Sequence, residues 1–129
     1  MIWQQGTLSE EQMKLVTANL PADISFADEQ DVLVFWSGET YKTCDTRYIG
    51  RDVRDCHPGE SLQTLERILA EFKAGTRDVA DGWHEEDGRF RFNRYVAVRE
   101  HGAYKGILEI AMWVEGFRSL KGEQALPGW

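Results

Sequence analysis

Residues 61–75 read SLQTLERILAEFKAG, and their periodicity decides how the rest of the chain is arranged. Leu62, Leu65, Ile68, Leu69 and Phe72 recur at three- and four-residue steps. That spacing lines one face of an α-helix. Ser61 stands where an N-cap belongs, and Gly75 where a helix ends. An apolar stripe of this kind is buried only against a second layer, so the flanking sequence must supply one.

The flanks supply strands. Downstream, RDVADGWHE, RFRFNRYVAVR and YKGILEIAMWVEGF are β-type runs separated by the turn sequences EEDG and EHGA. Upstream, DISFAD and DVLVFW make a hairpin around EQD. Between that hairpin and the long helix, residues 37–59 are weakly periodic and read as helical turns and loops. At the N-terminus, SEEQMKLVTANL reads as a helix closed by Pro21. Ser9 and Gln12 have the capping-box spacing, and Leu8 and Met13 that of a hydrophobic staple. Short turns between neighbouring strands require antiparallel pairing. The expected fold is therefore α+β: a five-stranded antiparallel sheet, helices inserted between strands two and three, and an N-terminal flanking helix. The boundaries expected are 1–22 for the flanking helix, 23–118 for the main domain and 119–129 for a C-terminal tail.

The chain has 129 residues, enough for one domain with one core, and is 42% hydrophobic. A net charge of −7 argues against nucleic acid and against an anionic membrane surface as partners. No apolar run reaches the roughly 18 residues of a membrane span. With two cysteines only, Cys44 and Cys56, the expectation is a cytoplasmic protein with reduced thiols.

Beyond these patterns, the segments LPADISFADEQDVLVFWS, IGRDVRDCHPGES, ILAEFKAGTRDVADGW, GRFRFNRYVAVREHGAYKGILEI and GEQALPGW occur in an order that resembles one branch of the PAS domains. It is the DUF438-associated, PAS_10-like branch, and the likeness runs from about residue 8 to the end. The resemblance implies a PAS fold and a non-enzymatic sensory or regulatory role. Many PAS domains leave the last strand through an Asp-Ile-Thr triplet. The matching place here reads AMWVEGFR, so the expected output is a separate partner protein or dimerisation.

A small-molecule site in such a fold lies between helices and sheet, and six residues are candidates for it. His57 follows Cys56 just before the long helix. Adjacent Cys and His seldom converge on one metal, and the other candidates lie at no metal-motif spacing, so no metal is expected. Haem held through His57 is the alternative cofactor reading. The plain reading is a histidine bonded to backbone at the helix entry beside a small buried cysteine. Arg94 shares a strand face with Phe90, Phe92, Val96 and Val98. If that face looks inward, its guanidinium must meet a carboxylate or an anionic ligand. Trp36, Tyr41, Cys44 and Trp83 would complete the wall. No nucleophile–base arrangement or phosphate loop is present, so no catalytic residue is expected. Leu15, Ile107 and Trp113 are expected at a homodimer or partner interface, because Trp113 and its strand-face neighbours would otherwise leave an apolar patch uncovered.

Overall fold

The computed structural model describes residues 6–38 and 46–125. Helix α1 (Glu10–Ala18) is followed by β1 (Asp23–Asp28) and β2 (Leu33–Ser37). Two short 3-10 turns, η1 (Thr46–Tyr48) and η2 (Val53–Cys56), lead into α2 (Glu60–Ala74). Then come β3 (Val79–Glu86), β4 (Arg89–Glu100), β5 (Ala103–Trp113) and a last 3-10 turn, η3 (Glu115–Ser119). The strands form one sheet in the order β2-β1-β5-β4-β3, antiparallel throughout. The expected α+β architecture and insertion point are those found.

Local chemistry explains most boundaries. In α1 the capping box is formed: Ser9 Oγ accepts from Gln12 N at 3.1 Å, and Ser9 N donates to Gln12 Oε1 at 3.0 Å. The two hairpins of the β3–β4–β5 meander turn at Asp87–Gly88 and His101–Gly102, all four residues at positive φ. That is the conformation whose twist matches flanking antiparallel strands. Helix α2 begins two residues earlier than expected. Gly59 is its N-cap and no side chain caps it, so Ser61 lies within the first turn.

The faces of the sheet are set by how closely α2 approaches. Its buried residues Leu65, Ile68, Leu69 and Phe72 are large. They share one core cluster with Ala27, Ala97 and Ile107, while Ala80, Tyr95 and Tyr104 pack around it. Small residues on the strands leave room for bulky ones on the helix. Because side chains alternate along a strand, Phe90, Phe92, Arg94, Val96 and Val98 must point to the other face.

Two ionic clasps hold the helical layer down. Asp31, in the β1–β2 turn with φ 66°, accepts from Arg54 Nη1 at 3.0 Å and Lys73 Nζ at 2.7 Å. Its carbonyl accepts from Val53 N at 2.8 Å. Arg54 also pairs with Glu66 of α2, chiefly through which its pKa is raised. Next to Lys73, at the same C-terminal end of α2, Arg99 Nη2 donates to Phe72 O at 2.7 Å and Arg99 Nε to Asp78 at 2.9 Å.

Asp31→Asn isolates the charge, since Asn tolerates the same left-handed backbone. Both cations are about a third exposed. The expected loss is therefore about 2–3 kcal/mol, below that for breaking a fully buried pair. Urea denaturation measures it, and an unchanged midpoint would show that the clasp does not hold α2.

Candidate functional site

Below the rows covered by α2, the helix-facing side of the sheet turns polar. Strand register places Trp36, Ser25, Glu109, Tyr95 and Ala80 side by side across the five strands. The next row is Asp23, Ala111, Asn93 and Gly82, followed by Trp113, Arg91 and His84. Asp23 is 3% exposed, and Glu109 and Arg91 are each 8% exposed. Buried charges at this density require partners. Asn93 Nδ2 donates to Glu109 Oε2 at 2.8 Å. Burial first, and Asp23 second, push the Glu109 carboxyl up to about 8. Burial lowers the pKa of Arg91, opposed first by Asp23 and then by Tyr95 and Glu86. Burial pushes the Tyr95 hydroxyl up to about 12. Trp36 Nε1 is buried with no hydrogen-bond acceptor among the described residues.

Two spaces adjoin this surface. Under α2, a cavity of about 10 Å³ is lined by Ser25, His57, Leu65, Tyr95 and Glu109, among others. That is about the room of one water molecule. At the lower end of the sheet lies a cleft of about 490 Å³. One wall is the end of α1 and the junction to β1, with Thr17, Leu20 and Pro21. The other is Asp23, Ala111 and Trp113. Its volume falls within the roughly 300–1,000 Å³ of small-molecule sites.

The sequence-derived candidates separate. His57 is buried at the entry to α2, with Nδ1 2.8 Å from the carbonyl of Val53. The carbonyl accepts, so Nδ1 carries the proton. Burial holds the His57 pKa below its usual value, with the Val53 bond opposing. The plain reading of His57 is the one found, and the 10 Å³ space beside it has no room for a haem. Trp36 faces the polar rows. Arg94 does not: it lies on the opposite face and forms a bidentate pair with Asp81, at 2.7 and 2.9 Å. The conditional expectation of an inward Arg94 is corrected, because the small-residue face is the one that admits α2. Trp83 shares that outer face at the sheet edge and is 64% exposed, so it is no pocket wall. Tyr41 and Cys44 lie outside the described residues.

The expected interface is rearranged by the same inversion. Ile107 is 4% exposed beneath α2 and unavailable to a partner. Trp113 lines the cleft, with the Arg89 guanidinium 4.0 Å from its ring centroid. Leu15 remains open at 59% exposure on α1, a helix with no buried residue. Cys56 is disulfide-bonded, which corrects the reduced thiol expected from the low cysteine count.

Arg91, Asn93, Asp23 and Glu109 escaped sequence reasoning. Their signal was the alternation in RFRFNRYVAVR, where Arg91, Asn93, Tyr95, Ala97 and Arg99 share a face that includes one of the smallest strand residues. The phenylalanines and valines of the opposite face mask that signal.

Glu109 gives a measurable pH dependence. Its folded pKa lies above the ordinary 4.5, so its favourable contribution is full below pH 4.5 and is lost as pH rises through about 8. The slope from this one group reaches about 1.4 kcal/mol per pH unit. His57 acts oppositely, withdrawing stability as pH falls below 6.5. Glu109→Gln keeps an acceptor for Asn93 and should remove the alkaline loss. Urea unfolding at pH 6 and pH 9 checks this, and an unaltered difference between the two would contradict it.

Comparison with known proteins agrees with this geometry. The PAS_10 family profile, described as a PAS domain, matches residues 13–113. No curated protein is matched. Among solved structures, the C-terminal domain of a Streptococcus mutans protein is 27% identical with a TM-score of 0.84, covering 94% of this chain and 96% of that one. A sensory box sensor histidine kinase from Vibrio cholerae is 12% identical, TM-score 0.58, over 79% of this chain and 88% of that one. The PAS domain of a Colwellia psychrerythraea protein is 16% identical, TM-score 0.58, over 82% and 97%. With the family profile spanning most of its length and the sheet, insertion and order of elements all in agreement, the chain belongs to the PAS domain family.

Proposed function

We propose that this PAS domain, a sensory and regulatory module, takes a small molecule in the cleft at the lower end of the sheet and transmits its occupancy through α1. The observation that carries this reading is the cleft itself: about 490 Å³, with the end of α1 as one wall and the polar rows as the other. The expected site lay between the long helix and the sheet, but the described space there is water-sized. Of the original candidates, Trp36 faces the polar rows and His57 supports the roof, so both stay near the proposed site. An occupant touching Thr17, Leu20 and Pro21 interacts differently with two positions of α1, and only such a difference can shift an equilibrium between them.

The response is read by a second copy of the chain or a separate output protein. Support comes from the surface of α1 and the sheet's outer face. Met13, Leu15 and Val16 of α1 are exposed, as are Phe35, Val79 and Trp83. A groove of about 500 Å³ runs between Met13, Thr17 and Phe35. A ligand-free interaction module is the second reading, favoured by the filled interior under α2. No described helix is long and apolar enough to cross a membrane. The cytoplasmic assignment loses its thiol argument at the disulfide-bonded Cys56.

Native mass spectrometry of the purified protein reads both halves of the proposal: a retained small molecule adds its mass to the subunit, and the subunit count reports association. A dimer is expected, and Leu15→Glu should weaken it about ten-fold or more without lowering stability, since Leu15 is not packed within the fold. A monomer, or a dimer indifferent to that change, would refute self-association through α1.

A further inference from the structure

The chain leaves β5 beside the turn of the β3–β4 hairpin, and the two segments exchange charges. The hairpin offers an acid and a base on either side of its turn, Glu85 and Arg89. The exit turn η3 offers the same, Glu115 and Arg118. They pair crosswise: Arg89 Nε lies 3.3 Å from Glu115 Oε1, and Arg118 Nη1 pairs with Glu85. Each guanidinium also covers a ring from the other segment. Arg89 stands 4.0 Å from the centroid of Trp113 at the end of β5, and Arg118 stands 4.6 Å from that of Phe90 in the hairpin. The backbone closes between them. Val114 N donates to Phe90 O at 2.6 Å, and Phe90 N donates to Glu115 Oε2 at 3.4 Å.

This seating is polar. No residue of η3 is buried, and Phe117 is 61% exposed. The four paired side chains are each about half exposed. Such pairs are individually weak and are screened by salt. The contact can therefore open while the core under α2 stays packed. Trp113 joins it to the cleft, because its ring lines the cleft and also carries Arg89.

We propose that the hairpin and η3 form an electrostatic latch that holds the Trp113 ring in the cleft wall and releases it without unfolding the domain. Closed, Glu115 fixes the Arg89 guanidinium, and that guanidinium fixes the indole. Open, the indole is free to change rotamer and the wall is no longer set. This deepens the cleft reading by naming a control on one wall. It is read without a ligand, so a cleft that takes none leaves the latch standing.

Arg118→Glu tests it, at a side chain that pairs with Glu85 and stacks on Phe90 rather than on Trp113. Amide exchange followed by NMR should quicken about five-fold or more at Phe90 and Val114, with Leu69 in α2 unchanged. The Trp113 indole signal, assigned by its loss in Trp113→Phe, should shift in the same variant. Adding Glu85→Arg restores the pair with its charges exchanged, and should return both the exchange rates and the indole signal towards those of the unaltered chain. Unchanged exchange at Phe90 and Val114 would overturn the latch, as would a double variant that restores nothing. Faster exchange with an unmoved indole would show that the latch does not hold the ring, and a matching rise at Leu69 would show unfolding instead of release. Either result contradicts the proposal.

Discussion

Everything in this domain follows from the close seating of α2 on the sheet. Leu65, Ile68, Leu69 and Phe72 need depth, and Ala27 and Ala97 provide it. A bulky strand face in the same place would hold the helix away and leave voids or force strained rotamers. The Asp31 and Arg99 clasps grip the C-terminal end of α2 at Lys73 and Phe72, and Arg54 adds Glu66 at its middle. Neither clasp is apolar, and neither could replace the packing. They fix where the helix lies along the sheet once burial has brought it there.

The seating has a consequence for chemistry. Side-chain alternation carries the α2-facing side down the strands into Glu109, Asn93, Arg91 and Asp23. The same parity that makes a core under the helix makes a polar floor beyond it. The apolar residues displaced from that side, Phe92, Val96, Leu108 and Ile110 among them, form the outer face instead. One geometric choice therefore produces both a charged inner floor and an apolar exterior.

The fold was legible because its signals are local and strong. The stripe in residues 61–75, the Ser9–Gln12 capping box and the turn residues Asp87–Gly88 and His101–Gly102 each have one low-energy interpretation. The facing of β4 was not legible from hydrophobicity. In RFRFNRYVAVR the phenylalanines and valines outweigh the other face, yet the better clue was Ala97, small at a position where a helix must approach. Arg94 and Arg91 illustrate the inversion. Arg94, inward only if the phenylalanine face were the core, is ion-paired outside, while Arg91 on the alternate face is buried. Ile107 and Trp113 moved for the same reason. Trp36 takes its facing from the short β2 register and His57 its position from the helix entry.

The assignment of faces underlies the site and the outer surface alike, and NMR tests it directly. Nuclear Overhauser contacts from the Ala97 methyl to the side chains of Leu65, Ile68, Leu69 or Phe72 are the predicted result. Contacts to those residues from Val96 and Val98, with none from Ala97, would reverse the faces and contradict the account.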